Sequence, residues 1–189
     1  MSRAAKFDAK FDRKSDGLTI RAATSGDAAV LAGFAERSFQ EAFARDNEQS
    51  DMTRYVASAF GEQIQRVEIA DARRVVSLAE ADGEIAGYAQ LLAGSTPPGI
   101  TMMMPATELE RFYVAPEWHG RGLAQQLMTR AVEIASQSGA ATLWLAVWER
   151  NPRAIAFYRK SGFADVGSKI FVLGSDRQTD RVMSRLLRD

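Results

Sequence analysis

The sequence predicts a mixed α/β (α+β) fold: one domain on a mostly antiparallel sheet, with a central parallel β-α-β unit and helices on both faces. Three observations lead there. Residues 108–114 (ELERFYV) alternate like a strand, residues 123–135 carry a helical stripe, and residues 142–147 (TLWLAV) read as a strand again. Two strands joined through a helix are expected to run parallel. Within residues 75–92, Asp82-Gly83 separates two apolar runs, a strong signal for a tight hairpin. Finally, 189 residues with 46% hydrophobic content, and neither repeats nor an internal linker, suit a single core.

The remaining elements follow in order. Residues 1–16 are polar apart from Phe7 and Phe11 and read as a mobile arm, leaving 17–189 as the domain. LTIRAAT (18–24) reads as a first strand. Apolar residues at helical spacing (Val30, Leu31, Phe34, Ala35, Phe39) make 25–46 a helix with one buried face, and a second helical stretch covers 52–70 with a break near Gly61. Residues 95–105, including Met102, Met103 and Met104, read as a loop. In the helix after 122, Leu123, Leu127, Ala131, Ile134 and Ala135 form one stripe, and Gly139 supplies a left-handed cap. Asn151-Pro152 opens a short helix as N-cap and first turn, and Gly162 closes it. Final strands are expected over 164–173 and 180–187, with Gln178-Thr179-Asp180 in a turn.

Composition excludes several functions. Lys+Arg and Asp+Glu both count 24, so no bulk charge draws the chain to nucleic acid or to an anionic membrane. The absence of cysteine removes disulfides, thiolate metal sites and cysteine nucleophiles, and a lone histidine, His119, removes any two-histidine zinc site. No apolar run is long enough to span a membrane, and the charged N-terminus lacks the apolar stretch of a signal peptide. A cytoplasmic location is the expectation.

The stretch EWHGRGLAQQLM (117–128) places Gly120, Arg121 and Gly122 where a helix must begin. A strand, a glycine-bearing loop and a helix start can bind an anion, because the first helical N–H groups lack partners and the helix dipole adds positive charge. The loop can equally be a tight turn and nothing more. It is neither a dinucleotide fingerprint, whose third glycine is replaced by Gln125, nor a P-loop, which needs Gly-Lys-Ser/Thr.

The context narrows the reading. ELERFYVAPEWHGRGLAQQLM followed by LWLAVWERNPRAIAFYRKSGF closely resembles the GNAT superfamily of acetyl-CoA-dependent N-acetyltransferases. The motif Q/R-x-x-G-x-G/A falls on His119, Gly120, Arg121, Gly122, Leu123 and Ala124, with histidine where glutamine or arginine is usual. The second block matches N-x-x-A-x-x-F-Y-x-x-x-G-F from Asn151 to Phe163 at every fixed position. WLAVWERNPRAIAFYRKSGF with the later GSDRQTDRVMSRLL also resembles the PaiA-type spermidine/spermine acetyltransferases.

The resemblance implies acetyl-CoA as co-substrate and a primary amine, a polyamine or similar small molecule, as acceptor. It implies that the backbone of Phe112, Tyr113 and Val114, beside a bulge, carries the pantetheine arm and polarises the thioester, and that residues 119–124 hold the pyrophosphate. It makes Tyr158 the general acid and Phe157 packing beside the pantetheine, and it gives Asn151 a cofactor contact besides its cap. Arg153, Arg159 and Lys160 are candidates for the 3′-phosphate. For the proton acceptor, Glu108, Glu110 and Glu149 compete, with Glu110 taken as the catalytic carboxylate. The acidic stretch Glu36, Glu41, Asp46, Glu48 and Asp51 suits a cationic acceptor. A protein N-terminus or lysine as acceptor, and a non-catalytic acetyl-CoA sensor, are the rival readings. Dimers are common in that superfamily, and no residue here settles one.

Overall fold

The computed structural model describes residues 17–99 and 105–187. The expected N-terminal arm (1–16) and the three methionines 102–104 lie outside them. Strand β1 (Leu18–Ala22) is followed by helices α1 (Ala28–Phe43), α2 (Gln49–Ala59) and α3 (Glu62–Ala70). The hairpin of β2 (Arg74–Ala81) and β3 (Glu84–Ala93) leads to β4 (Ala106–Val114), α4 (Leu123–Gln137), β5 (Thr142–Trp148) and α5 (Pro152–Lys160). A last hairpin, β6 (Ala164–Leu173) and β7 (Asp176–Leu186), completes the sheet. The seven strands lie in the order β1-β2-β3-β4-β5-β7-β6, and β4–β5 is the parallel pair.

Local chemistry accounts for most boundaries. Asp82 and Gly83 both take positive φ (52° and 82°), the conformation a two-residue hairpin turn needs. The Asn151 side chain accepts a 3.0 Å hydrogen bond from Ala154 N–H and so caps α5, with Pro152 in its first turn. The break between α2 and α3 falls at Phe60 and Gly61, both extended. One expectation fails: Gln178, Thr179 and Asp180 belong to β7, and the turn is made by Gly174 and Ser175. The run from Asp176 to Arg181 is as polar as a loop in composition but pairs residue for residue with β6.

Each face of the sheet buries its own core. Under α4 and α5, Leu123, Leu127, Met128, Ala131, Ile134 and Ala135 meet Leu91, Leu109, Leu143 and Leu145. Under α1–α3, Leu31, Phe34, Phe39, Met52, Val56 and Phe60 meet Val76, Leu78, Tyr88 and Leu173.

Between these layers β4 departs from regular pairing. Gln90 stands opposite Arg111 and Leu91 opposite Leu109, so Glu110 is the extra residue of a bulge. Leu109 and Phe112 consequently both face the α4 side. Glu110 and Arg111 both turn toward the other face, where Arg111 forks onto Glu68 of α3 (2.6 and 3.0 Å) and lies over the Phe60 ring. At the end of the same strand, a Cβ on Gly87 would stand 2.8 Å from the Tyr113 carbonyl oxygen, so only glycine lets β3 approach this closely.

Glu68→Ala should strip Arg111 of its counter-ion at a largely buried position and lower the unfolding free energy by about 3 kcal/mol. Glu68→Leu combined with Arg111→Met should recover most of that loss. Urea denaturation of the three proteins measures both effects.

Candidate active site

The site begins where β4 and β5 stop pairing. Only Ala106, Thr107 and Glu108 of β4 are bonded to β5, opposite Thr142, Leu143 and Trp144. Beyond Glu108 and Trp144 the strands part. The apex is tied on its open side: Ser95 donates to Glu108 (2.7 Å) and accepts, through its carbonyl, from the Trp144 indole N–H (2.8 Å). From there to Val114 the outer edge of β4 has no strand beside it, so its backbone N–H and C=O groups face a cleft of about 830 Å³. Phe112, Tyr113 and Val114 pair with Ala89, Tyr88 and Gly87 on their other side. The expected bulge therefore sits two residues before them, at Glu110.

One half of the cleft is bounded by the glycine loop and α5. Gly120 (φ 76°) and Gly122 (φ 82°) are both left-handed, and Gly122 is the N-cap of α4. The conformation alone therefore favours glycine at both positions. It also leaves open space: a Cβ at either would meet no described atom within 4 Å. The N–H groups of Leu123, Ala124 and Gln125 open α4 without intrahelical carbonyls and, with the dipole, make this rim a place for negative charge. Leu123 is itself fully buried beneath α4, so only its backbone can take part, whereas Ala124 lines the cleft.

His119 does more than the sequence suggested. Arg153 can only donate, so its 2.8 Å contact makes His119 Nδ1 an acceptor; Nε2 then carries the proton and donates to the Val114 carbonyl at 2.9 Å. The histidine thus links the loop, the end of β4 and α5. Arg121 turns away and lays its guanidinium over the Trp118 ring, 5.5 Å from its centre. Of the three basic candidates on α5, Arg153 lines the cleft and Arg159 is paired with Asp165 (2.8 Å).

Phe157 stacks on Phe112 (5.6 Å between centres, 26° between planes), making an apolar wall at the mouth. Tyr158 packs edge-on against Phe112, Phe157 and Phe163 and lines the cleft. Its hydroxyl has no hydrogen-bond partner among the described residues, and burial raises its pKa, so it is held in the protonated form.

The other half lies under α1 and α2. Phe39, Phe43, Tyr55, Trp148 and Phe171 form its walls, with Phe39 stacked on Tyr55 at 4.7 Å. Glu41, Glu108, Glu110 and Asp180 present carboxylates. Glu110 is committed to a fork from Arg74 (2.9 and 3.2 Å) and to Gln90 (3.0 Å), a poor arrangement for the proton acceptor expected of it. Burial raises the pKa of both Glu108 and Asp180. Of the acidic stretch 36–51, only Glu41 lines the cleft; Asp51 is buried beneath the β6–β7 turn, where Ser175 donates to it. Glu149 follows β5 and is exposed. Asp180, passed over in sequence as part of a turn, is the carboxylate its strand delivers to the chamber.

Comparison with known proteins agrees with this geometry. Residues 35–163 match the model of the acetyltransferase (GNAT) family. An uncharacterised N-acetyltransferase of Lactobacillus delbrueckii subsp. lactis is 30% identical over 177 residues, covering 90% of this chain and 98% of that one. Among solved structures, the PaiA N-acetyltransferase of Thermoplasma acidophilum in complex with coenzyme A superposes with a TM-score of 0.73 at 21% identity, covering 89% of this chain and 98% of that chain. The spermidine N-acetyltransferase of Vibrio cholerae with CoA and spermine gives 0.65 at 21%, over 92% and 97%. The chain belongs to the GNAT acetyltransferase family and is an acetyl-CoA-dependent N-acetyltransferase. Among the described residues no helix is long and apolar enough to cross a membrane, and no His/Cys/Asp/Glu cluster suits a metal ion.

Gly122→Asn tests the loop. Asparagine tolerates a left-handed backbone, so the variant should fold while placing a side chain in the open space. Calorimetry should show acetyl-CoA affinity reduced about tenfold or more, the worth of roughly one charge-assisted hydrogen bond, with the melting temperature nearly unchanged.

Proposed function

We propose that the chain acetylates the primary amine of a small, cationic acceptor of the polyamine type. The observation that carries this reading is the charge of the aromatic half of the cleft. With Glu110 neutralised by Arg74 and Arg111 by Glu68, the carboxylates of Glu41, Glu108 and Asp180 face one lysine, Lys169. Aromatic rings and excess carboxylates suit an acceptor with methylene segments and more than one ammonium. The bound spermine of the Vibrio cholerae enzyme is consistent with such an acceptor on this fold.

Bound acetyl-CoA supplies an activated acyl group. The chain contributes the rest. The glycine loop and the start of α4 take the pyrophosphate, with Arg153 beside them as the candidate for the 3′-phosphate. The free edge of Phe112, Tyr113 and Val114 hydrogen-bonds the pantetheine arm as a neighbouring strand would, and an N–H near the bulge polarises the carbonyl. Phe157 packs beside the arm, and Asn151, already the α5 cap, borders it. Tyr158, protonated and without a protein partner, gives its proton to the departing sulfur. Glu110 is assigned to holding the bulge in place with Arg74.

Two measurements test this. Spermidine and spermine should be acetylated in preference to neutral amines and peptides, with an apparent Michaelis constant that rises with salt; peptides acetylated while polyamines stay inert would overturn the acceptor. Tyr158→Phe keeps the ring packing and removes the proton donor, so turnover should fall by roughly 10²–10⁴-fold while acetyl-CoA affinity changes little. Wild-type turnover in that variant, where chemistry limits the rate, would remove Tyr158 from the acid's role.

A further inference from the structure

The three carboxylates of the aromatic half that are not tied to arginine differ in their surroundings. Glu41 is exposed at the rim. Glu108 sits at the apex of the parting strands and accepts from Ser95. Asp180 is 8% exposed and accepts no hydrogen bond from any described residue, yet it lines the cleft that Tyr158 also lines. A buried carboxylate is ordinarily paired, because leaving it without a donor costs several kcal/mol.

The charged and titratable neighbours do not supply the partner. Lys169 stands directly across from Asp180 in the β6–β7 ladder, but its ammonium lies over the Trp144 ring, 5.8 Å from the centre, and makes no ion pair with Asp180. On the β5 side Asp180 is opposite Trp148, and Glu149 beyond it adds a like charge. From α2, Tyr55 faces the same region as part of the aromatic wall, stacked on Phe39 and edge-on to Phe171. Burial is the main cause of the raised Asp180 pKa, Glu149 adds to it and Lys169 opposes it. The carboxylate is therefore more basic than an ordinary aspartate and lacks a donor on the side that opens to the cleft.

We infer that Asp180 binds the reacting ammonium of the acceptor and takes its proton. This rests on the acetyltransferase reading and adds the group missing from it. The balance is closed by residues of one cleft. The ammonium loses a proton to Asp180; the freed nitrogen lone pair forms the N–C bond to the acetyl carbon; the C–S bond breaks; and the sulfur takes the Tyr158 proton. The nitrogen, which after attack still carries one proton more than the amide holds, gives that proton up to restore Tyr158, and Asp180 returns its own to solvent, so one proton is released per turnover. Lys169 limits how far the Asp180 pKa rises.

Asp180→Asn and Asp180→Glu, assayed with saturating acetyl-CoA across pH 6 to 10, test the assignment. At neutral pH, Asp180→Asn should lose roughly 10²–10⁴-fold in turnover, and the deficit should shrink as pH rises and neutral amine becomes abundant in solution. Asp180→Glu should restore part of the turnover. Acetyl-CoA affinity, measured by calorimetry, should stay at the wild-type value in both. A deficit that is constant with pH and lies wholly in the Michaelis constant would reduce Asp180 to a binding group, and unchanged kinetics would remove it from the site; either overturns the proposal. Should Asp180→Asn melt early, the same pH comparison on Asp180→Glu decides, because a displaced base still gives a pH-dependent deficit. If wild-type protein acetylates neither spermidine nor spermine at any pH, the acceptor reading fails instead.

Discussion

Everything at the site depends on two neighbouring strands that begin parallel and then part. Three residues of pairing hold β4 to β5, and after Glu108 and Trp144 the β4 backbone has hydrogen-bonding groups on one edge with no strand to meet them. Inside a closed sheet such an edge would be a defect. Here it opens onto a cleft, and an extended ligand lying along it in place of the missing strand would offset the cost of the unmet groups. The bulge at Glu110 adds to the same effect by turning Arg111 onto Glu68 and Phe112 toward Phe157. A sheet that pairs fully could not do this work.

The parting also sorts the chemistry. On one side lie a helix N-terminus, two left-handed glycines and Arg153, all suited to phosphate. On the other lie aromatic walls and carboxylates suited to an ammonium. Tyr158 is reached from the cleft between them. Fixed charges thus divide the cleft into a half that favours an anion and a half that favours a cation, with the strands diverging between them. His119 contributes by connection: its two ring nitrogens bind the end of β4 and the start of α5, so the cleft's two walls are linked across the mouth.

The elements were legible in the sequence wherever a local rule sets them. Asp82-Gly83, Asn151-Pro152 and the stripe of Leu123, Leu127 and Ala131 each dictate a turn, a cap or a buried face without help from distant residues. The glycine loop was legible as well, though the backbone angles of Gly120 and Gly122 would favour glycine even without a ligand. What stayed hidden depends on long-range register. Five acidic residues between 36 and 51 look alike in sequence, yet helix phase sends Glu41 to the cleft, while Asp51 is claimed by Ser175, 124 residues away. The position of the bulge is not written into ELERF, because two successive residues facing one way break alternation without any glycine to announce it. Asp180 was missed because a run of charged and small residues reads as a turn until its pairing with Trp148 and Lys169 is known.

The most direct test of this account is a crystal structure of the chain with coenzyme A. The pantetheine arm should lie in the opening between β4 and β5, bonded to the free edge of Phe112–Val114, with the pyrophosphate at the N–H groups of residues 122–125 and the sulfur near the Tyr158 hydroxyl. Coenzyme A bound elsewhere, or strands that close and pair beyond Glu108 and Trp144 when it is absent, would contradict the claim that the parted strands are the binding site.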